Sequence, residues 1–379
     1  MDRRVENIAL ETLTPIVRQA LDQPRATPTT WQVTPVHGGW GSAVGGTAIY
    51  RLAGQTETGN AWSVILKILY ERPGEAVDSP YYWRREYELY RSQMLTTLPQ
   101  IGLTTPLIYG CAEFPGACWV WMEDIPQEKT AWDWPDFRLV ARRLGRFSGA
   151  YLTGHPLPDY PWLSDQWHCS IVPPLADVFD HLDDYLQHPL AQRALPLAEK
   201  DDILSIWQER ERFCTSLARL PQTLCHYDVF RGNIFHSQKS TKLIDWALAG
   251  RGVVGEELVC YVALSLYFPK IPLAQADTLD QTVFAGYMDG LRDAGWTGDE
   301  QLVRLGYTCA MTLRGLAGVK QDLLLIQDES KRDFLLANKR FDDLEPLADF
   351  WAGIRRYRLL EMAREARGLL ASAGRVFAS

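Results

Sequence analysis

The chain has 379 residues, of which 46% are hydrophobic and 23% are charged. This length and ordinary charge content predict a folded globular protein, long enough for two lobes with a cleft between them. The formal net charge of −8 argues against a nucleic-acid-binding surface, because phosphate backbones are held by clustered Lys and Arg.

The cysteine pattern and the N-terminus bear on the cellular compartment. The seven cysteines are scattered, odd in number and never spaced C-x-x-C, which favours reduced thiols in a cytoplasmic protein over a zinc site or disulfide framework. Residues 1–13 lack a continuous apolar stretch, so no signal peptide is expected. No run approaches 18 uninterrupted apolar residues, so no membrane span is predicted.

The first third of the chain predicts a β-rich region after an amphipathic helix at 5–22. Glycines are dense at 37–46 (HGGWGSAVGG), and the apolar strand 61–70 (AWSVILKILY) follows after strand-like alternation. A glycine-rich turn between two strands can lie against phosphates, and an ordinary flexible hairpin turn is the simpler alternative. The glycine spacing matches neither G-x-G-x-x-G nor the Walker pattern.

A lysine interrupts this apolar strand. Burying Lys67 costs desolvation unless it has a partner or a ligand, and an edge-strand lysine that reaches water is the alternative. A helix predicted to begin at Ser79 and Pro80 turns Glu86 inward and Glu88 toward solvent. The pattern therefore predicts a Lys67–Glu86 pair, against the alternative of a solvated glutamate.

The composition changes after a predicted hairpin of strands 105–114 and 117–125. Almost everything beyond this hairpin has a helical pattern, so we predict a boundary near Asp124. The N-terminal lobe with its leading helix would comprise 1–123, and the helical lobe 124–379. Helices are predicted over 137–152, 174–187, 197–220, 273–292, 298–325 and 330–372.

The most informative polar pattern is CHYDVFRGNIF at 225–235, followed by a short apolar run that ends at Asp245. Asp228 and Asn233 are five residues apart and can converge on one site in a compact loop. H-x-D-x-x-x-x-N followed by an aspartate is the order that phosphoryl transfer from a nucleotide to a hydroxyl requires. One carboxylate orients the hydroxyl, while an amide oxygen and a second carboxylate hold Mg²⁺.

Two further features concern the loop and the phosphate acceptor. His226 is expected to support the loop by hydrogen-bonding backbone near Asp245, with direct proton transfer as the less favoured alternative. Position 230 is Phe where protein kinases usually carry Lys, and only ten residues separate Asp245 from Glu256, with no A-P-E motif. So short a segment disfavours a peptide platform and favours a small-molecule hydroxyl acceptor.

CHYDVFRGNIF with LIDWALAG resembles the aminoglycoside phosphotransferase/choline kinase family, a branch of the protein-kinase-like fold. The resemblance extends to the glycine-rich stretch, SVILKIL with Lys67, YYWRREYELY with Glu86, WVWMEDI and GVVGEELVCYVAL. It implies an α+β, bilobal protein-kinase-like fold with a β-rich N-terminal lobe, which would bind the nucleotide, and a mainly helical C-terminal lobe. The C-terminal lobe would carry the catalytic loop and the acceptor site.

The resemblance also implies roles for the matching residues. Asp228 would be the catalytic base or hydroxyl-orienting residue, and Asn233 and Asp245 would coordinate Mg²⁺. Lys67 would bind the α- and β-phosphates, and Glu86 would anchor Lys67. The residues that would contact the nucleotide around this lysine are Gly38, Gly39 and Gly41 in the glycine-rich loop and Met122, Glu123 and Asp124, whose main chain would bind adenine.

Supporting roles are expected near the catalytic loop. Arg231 is a candidate phosphate contact, and pairing with an acid inside the loop is an equal alternative. One of the neighbouring Glu256 and Glu257 would brace the loop, with Glu257 preferred.

The predicted activity is therefore ATP- and Mg²⁺-dependent transfer of the γ-phosphate to a hydroxyl of a small molecule, with GTP open as an alternative to ATP. The acceptor would be an aminoglycoside-like antibiotic, an amino alcohol or a sugar. The acidic run 177–184 would suit a polycation, and a solvated helix face is the simpler alternative. A kinase-like scaffold without turnover and a protein kinase are the rival predictions. No nucleic-acid or membrane partner is expected.

Overall fold

A computed structural model describes residues 3–36, 46–92, 94–126, 131–328, 330, 336 and 341–373. Gly38, Gly39 and Gly41 of the predicted glycine-rich loop lie outside these ranges. Internal contacts group the chain into two compact units, so the predicted division at residues 123 and 124 stays a prediction. The first unit comprises Met1–Ala131, Tyr160–Trp162 and Gly232–Leu248, and the second comprises Trp132–Asp159, Leu163–Arg231 and Ala249–Ser379.

The described residues form strands in both units. In chain order they are β1 (Pro28–Val36), β2 (Thr47–Thr56), β3 (Ala61–Tyr70), β4 (Leu103–Thr104), β5 (Ile108–Phe114), β6 (Ala117–Glu123), β7 (Ser164–Asp165), β8 (Gln222–Cys225), β9 (Ile234–His236), β10 (Thr241–Leu243) and β11 (Gly250–Val253).

The described residues also form α-helices, numbered here in chain order. They are α1 (Arg3–Glu6), α2 (Leu10–Leu21), α3 (Arg85–Arg91), α4 (Trp134–Leu152), α5 (Trp167–Ser170), α6 (Ala176–Asp180), α7 (Leu182–Tyr185), α8 (Pro189–Ala194), α9 (Lys200–Gln208), α10 (Arg210–Leu217), α11 (Leu258–Tyr267), α12 (Ala276–Asp293), α13 (Glu300–Gln327), α14 (Leu344–Arg355) and α15 (Met362–Ala373). A π-helical segment, Arg356–Glu361, joins α14 to α15.

An antiparallel sheet of order β1-β2-β3-β6-β5 forms the centre of the first unit. In β3, Val64, Leu66 and Ile68 are fully buried and share a core with Leu13 and Val17 of α2. Successive side chains of a strand point to opposite faces. Lys67 therefore projects from the face opposite to this apolar core.

A second small sheet of the first unit has the order β4-β10-β9. The antiparallel pair β9 and β10 aligns Ile234 with Leu243, and Ile244 N donates to Asn233 O at 3.1 Å. Asn233 precedes β9 and Asp245 follows β10, so the hairpin register brings both residues to the same end of the sheet.

The helix predicted to begin at Ser79 begins instead at Arg85. Turns occupy the intervening residues, and the Arg85 guanidinium binds the carbonyl oxygens of Ser79 at 2.6 Å and Pro80 at 3.0 Å. A buried arginine thus takes carbonyl groups that a longer helix would have used for its own backbone hydrogen bonds. This tertiary interaction overrides the local capping signal.

In the second unit, the long helices α4 and α12 pack closely because glycines face the contact. A Cβ added to Gly145 would lie 2.0 Å from Tyr287 O, and one added to Gly290 would lie 2.0 Å from Arg142 O. Asp133 and Asp136 form a reciprocal capping box at the start of α4. In a sheet of order β7-β11-β8, β8 ends at Cys225, directly before the loop that was predicted to be catalytic.

Several predicted helices are shorter than expected or interrupted. The helix predicted over 174–187 breaks at His181 between α6 and α7, and that over 197–220 breaks at Glu209 between α9 and α10. Amphipathic spacing persists across such breaks, so periodicity did not indicate them. Among the described residues, no helix has the length and apolar character required to cross a membrane.

Candidate active site

In the first unit, Lys67 lies between two carboxylates. Its Nζ atom is 2.5 Å from Glu86 Oε2 and 2.7 Å from Asp245 Oδ1. The side chains of Lys67 and Glu86 are 8% and 1% exposed, whereas that of Asp245 is 37% exposed. Burial lowers the pKa of the Lys67 ammonium, but the charges of Asp245 and Glu86 outweigh it and raise this pKa. Lys67 is therefore a fixed cation beside an accessible carboxylate.

Glu86 has this position because of α3. It turns into the protein, and Tyr90, one helical turn later, donates its hydroxyl hydrogen to Glu86 Oε1 at 3.1 Å. Glu88 lies on a more exposed side of the helix and pairs with Arg84 at 2.7 Å. The inward and outward placement of the two glutamates is as the helical spacing indicated.

Asn233 and Asp245, the predicted metal ligands, carry amide and carboxylate oxygen atoms. Asn233 is buried, and Asp245 has a φ of 64°, a left-handed conformation that is uncommon outside glycine and typical of functional sites. Across the described ranges, no group of three His, Cys, Asp or Glu side chains forms a metal site. An amide and a carboxylate fit Mg²⁺, which takes its remaining ligands from water and phosphate oxygens.

The sequence did not indicate Arg85, which is fully buried beside Glu86. Its guanidinium donates to Ala247 O at 3.0 Å and to Trp162 O at 2.7 Å, in addition to the two turn carbonyls. Burial lowers the pKa of Arg85 to about 10. Arg85 thereby fixes the backbone two residues after Asp245. In the sequence, the position of Arg85 directly before Glu86, the glutamate predicted to face inward, could have indicated a buried arginine.

The predicted adenine-binding segment lies at the end of β6. Glu123 accepts hydrogen bonds from Leu107 N at 3.1 Å and Lys242 Nζ at 2.5 Å. Asp124 accepts two from Arg51, at 2.8 and 3.0 Å, and Met122 is buried. These side chains have internal partners, consistent with recognition through main-chain groups. The adenine contact itself stays a prediction.

The catalytic loop around Asp228 belongs to the second unit. Asp228 N donates to His226 Nδ1 at 3.2 Å, and His226 N donates to Glu257 Oε2 at 2.7 Å. The first of these bonds requires an unprotonated Nδ1 on His226. Tyr227, between them, has a φ of 64°. His226 and Glu257 thus hold a strained turn that presents Asp228.

Glu256 organises a second set of contacts beneath this turn. It accepts from Val253 N at 2.7 Å, lies 3.1 Å from the Tyr227 hydroxyl, and lies 3.0 Å from His168 Nδ1. Burial lowers the pKa of His168, although Glu256 opposes this effect. Both members of the Glu256–Glu257 pair therefore contact the loop. His168 was missed because it is 59 residues upstream of Tyr227 in sequence order.

Arg231 lies at the end of the loop, with its guanidinium carbon 5.0 Å from the centre of the Trp132 ring. Burial lowers the pKa of Arg231. The aromatic contact fits a cation–π interaction. The predicted phosphate contact and the alternative acid partner both stay predictions.

The order of the motifs along the chain and this geometry define a protein of the kinase-like phosphotransferase class. The model of the phosphotransferase enzyme family (APH) matches residues 55–293, well over half of the chain. The chain therefore belongs to this family, and the resemblance found in the sequence is confirmed. A search of curated proteins gives no match.

Solved structures give the same fold. A choline kinase from Cryptosporidium parvum Iowa II has a TM-score of 0.55 at 10% identity, covering 96% of this chain and 97% of that chain. An amicoumacin kinase, hAmiN, in complex with AMP-PNP, Ca²⁺ and Ami, has a TM-score of 0.50 at 15% identity, covering 92% and 97%. The predicted α+β protein-kinase-like fold is confirmed, with a β-sheet part and a helical part.

Proposed function

We propose that this small-molecule phosphotransferase transfers the γ-phosphate of ATP, in the presence of Mg²⁺, to a hydroxyl group. The main support is Lys67, a buried cation within 2.7 Å of both Glu86 and the half-buried Asp245. A lysine fixed in this way can bind nucleotide phosphates without reorganisation. The amicoumacin kinase complex, which contains an ATP analogue and Ca²⁺, supports the coarser choice of a nucleotide with a divalent cation.

The proposed chemistry assigns a role to each motif residue. Asp228 orients the acceptor hydroxyl, whose oxygen bonds to the γ-phosphorus while the bond to the β,γ-bridging oxygen breaks, and the hydroxyl proton passes to the Asp228 carboxylate. Lys67 binds the nucleotide phosphates. Asn233 and Asp245 would hold Mg²⁺, which neutralises phosphate charge. Positioning and electrostatics supply most of the rate enhancement.

The motif residues and the short segment after Asp245 support a small acceptor over a peptide. The free thiols of all seven cysteines support a reducing compartment such as the cytoplasm. The decisive experiment measures ATP turnover by the full chain over a panel of aminoglycosides, macrolides, amino alcohols and sugars. Binding of ATP and Mg²⁺ without turnover on any acceptor would support a scaffold, and radiolabel on protein would support a protein kinase.

The two acidic residues should respond differently to substitution. Asp228→Ala should abolish transfer and leave nucleotide affinity within several-fold, because the side chain acts on the acceptor hydroxyl. Asp245→Ala should also weaken Mg²⁺–nucleotide binding, because the side chain serves the metal. Calorimetric titration with ATP and Mg²⁺, together with turnover assays, distinguishes these effects. Full turnover in Asp228→Ala would refute its catalytic role.

A further inference from the structure

Two arginines of the second unit, Arg314 and Arg358, lie together, and neither forms a salt bridge with a carboxylate of the described residues. Arg358, in the π-helical segment, is only 6% exposed, and its Nε has no hydrogen-bond partner among the described residues. Its Nη2 is 3.5 Å from the carbonyl oxygen of Arg314 in α13, and its guanidinium carbon is 5.9 Å from the Tyr267 ring centre. These weak contacts leave a buried charge uncompensated, which is unfavourable.

The neighbouring Arg355, by contrast, has a carboxylate partner. It donates to Ala194 O and lies 3.5 Å from Asp322, whose other oxygen accepts from Tyr267 at 3.3 Å. Within the described ranges, Arg314 and Arg358 form no comparable salt bridge. Burial and the charge of Arg314 lower the pKa of Arg358 to about 10, although Asp322 opposes them. Among the described residues, the charge of Asp322 therefore only partly offsets burial and the charge of Arg314 at Arg358.

The arginine pair is close to the catalytic loop. Cys260 Sγ donates to the carbonyl oxygen of Tyr227, the residue before Asp228, at 2.7 Å. Burial raises the pKa of the Cys260 thiol to about 12, and of the surrounding charges Arg314 and Arg358 lower it while Asp228 raises it. One thiol therefore lies within electrostatic range of both arginines and of Asp228.

Aromatic contacts connect the same groups. The guanidinium carbon of Arg314 is 5.3 Å from the Trp167 ring centre, and that ring is 5.8 Å from the Tyr227 ring. On the other side, Phe230 of the catalytic loop stacks on Phe268 at 5.8 Å, and Phe268 contacts Tyr267 at 5.6 Å. The two arginines thus contact aromatic rings that lead by pairwise contacts to Tyr227 and Phe230 of the loop.

The backbone around Arg358 is itself unusual. π-Helical turns are rare and occur frequently at functional sites. Gly315 of α13 allows the segment to approach, since a Cβ there would lie 3.0 Å from Arg358 O. A Cβ on Gly318 would lie 3.8 Å from Arg358 Nη2, so the guanidinium group lies next to a position of α13 that has no side chain.

We propose that Arg314 and Arg358 bind an anionic oxygen group, carboxylate or phosphate, of the hydroxyl-bearing acceptor. Guanidinium groups match such anions through paired N–H donors. The substrate class would be a hydroxy acid or a phosphorylated alcohol, and not a polycation. This inference rests on the proposed function, in which Asp228 orients the acceptor hydroxyl.

The test compares ligands that share one carbon skeleton and differ in charge. Thermal unfolding of the full chain is followed with gluconate, glucose 6-phosphate, glucose and glucosamine at constant ionic strength. At least one of the two anions should raise Tm saturably, whereas glucose and glucosamine should not. A shift with gluconate would indicate a carboxylate site, and a shift with glucose 6-phosphate would indicate a phosphate site. Arg314→Met and Arg358→Met should weaken the apparent affinity about tenfold or more, whereas Lys67→Met should retain it.

Stability without ligand provides an independent readout. Because its charge is uncompensated, Arg358→Met should unfold at the wild-type Tm or above, while a structural arginine would lower Tm. Arg358→Gln serves as the second variant if the methionine variant does not fold. Equal anion-induced shifts in the wild type and both arginine variants, no anion-induced shift, or preference for glucosamine would overturn the inference.

Failure of the proposed function would give a different result. An arginine-dependent anion shift without ATP turnover on any acceptor would refute the kinase reaction and leave the anion site intact. Turnover of a neutral or cationic acceptor with unchanged kcat/KM in both arginine variants would refute the anion site and leave the kinase reaction intact.

Discussion

Lys67 shows how single residues produce the proposed site. Its ammonium group is buried in the sheet of the first unit, and Glu86 and Asp245 supply the opposite charges that make burial tolerable. Asp245 is separated from Lys67 by 178 positions. The lysine was predicted from its apolar context and Glu86 from helical spacing, but the direct contact with Asp245 was not.

Replacing Lys67 tests this electrostatic arrangement. Lys67→Met should reduce kcat/KM for ATP about 10²-fold or more, because a preorganised phosphate-binding group is lost. It should also lower the free energy of unfolding by about 3 kcal/mol, since Glu86 remains buried without its cation. Steady-state kinetics and urea unfolding measure the two effects.

A second substitution separates stability from activity. Lys67→Met combined with Glu86→Gln removes both members of the buried pair, so it should recover much of the lost stability and none of the activity. Lys242→Met, which removes the more exposed pair with Glu123, is the control. Equal destabilisation by Lys67→Met and Lys242→Met would contradict the account of Lys67.

At the scale of elements, the catalytic loop depends on the start of α11. Glu257 immediately precedes this helix and accepts a hydrogen bond from His226 N at 2.7 Å. Burial raises the pKa of Glu257 to about 8, although this hydrogen bond lowers it. Glu257, which holds the loop through His226, is therefore expected to titrate within the physiological pH range.

This raised pKa predicts a specific pH dependence of stability. In the unfolded chain a glutamate titrates near pH ~4.3, so between that value and about 8 the folded chain keeps a proton that the unfolded chain has lost. The free energy of unfolding should therefore fall as pH rises through this window, by on the order of 3 kcal/mol between about pH 5 and 8. Glu257→Gln should remove this contribution, measured by urea unfolding at both pH values.

Glu345→Gln, which changes a largely exposed side chain, is the control and should keep the wild-type pH dependence. An identical pH dependence in wild type and Glu257→Gln would show that Glu257 does not titrate in this window.

Element boundaries were less predictable than element types. The strands around Lys67 and the hairpin before Asp245 follow from apolar patterning. In contrast, α3 begins at Arg85 and not at Ser79, because the Arg85 side chain binds carbonyl groups of the preceding turn. A capping signal describes local preference only, and a buried guanidinium with several carbonyl acceptors outweighs it.

At the scale of the whole molecule, the cysteines report on both units. Cys118 of the first unit and Cys260 of the second are buried, and burial raises their thiol pKa values to about 11 and about 12. Because the thiolate is the reactive species, iodoacetamide at pH 8 should leave both unmodified in the native protein and modify all seven cysteines in denaturant. Mass spectrometry measures this, and rapid native labelling of Cys260 would contradict the described packing.

The sequence by itself determined the fold class, the family, and the residues proposed for catalysis and metal binding. These depend on short motifs and on alternating or helical periodicity, which are local properties of the chain. Only the tertiary structure decided that Asp245 shares Lys67 with Glu86 and that His168 contacts Glu256 beneath the loop. It likewise decided that Arg358 lies against Arg314. Such contacts join positions that are distant in the sequence. Local sequence patterns record neither these contacts nor the burial that decides whether a charge needs a partner.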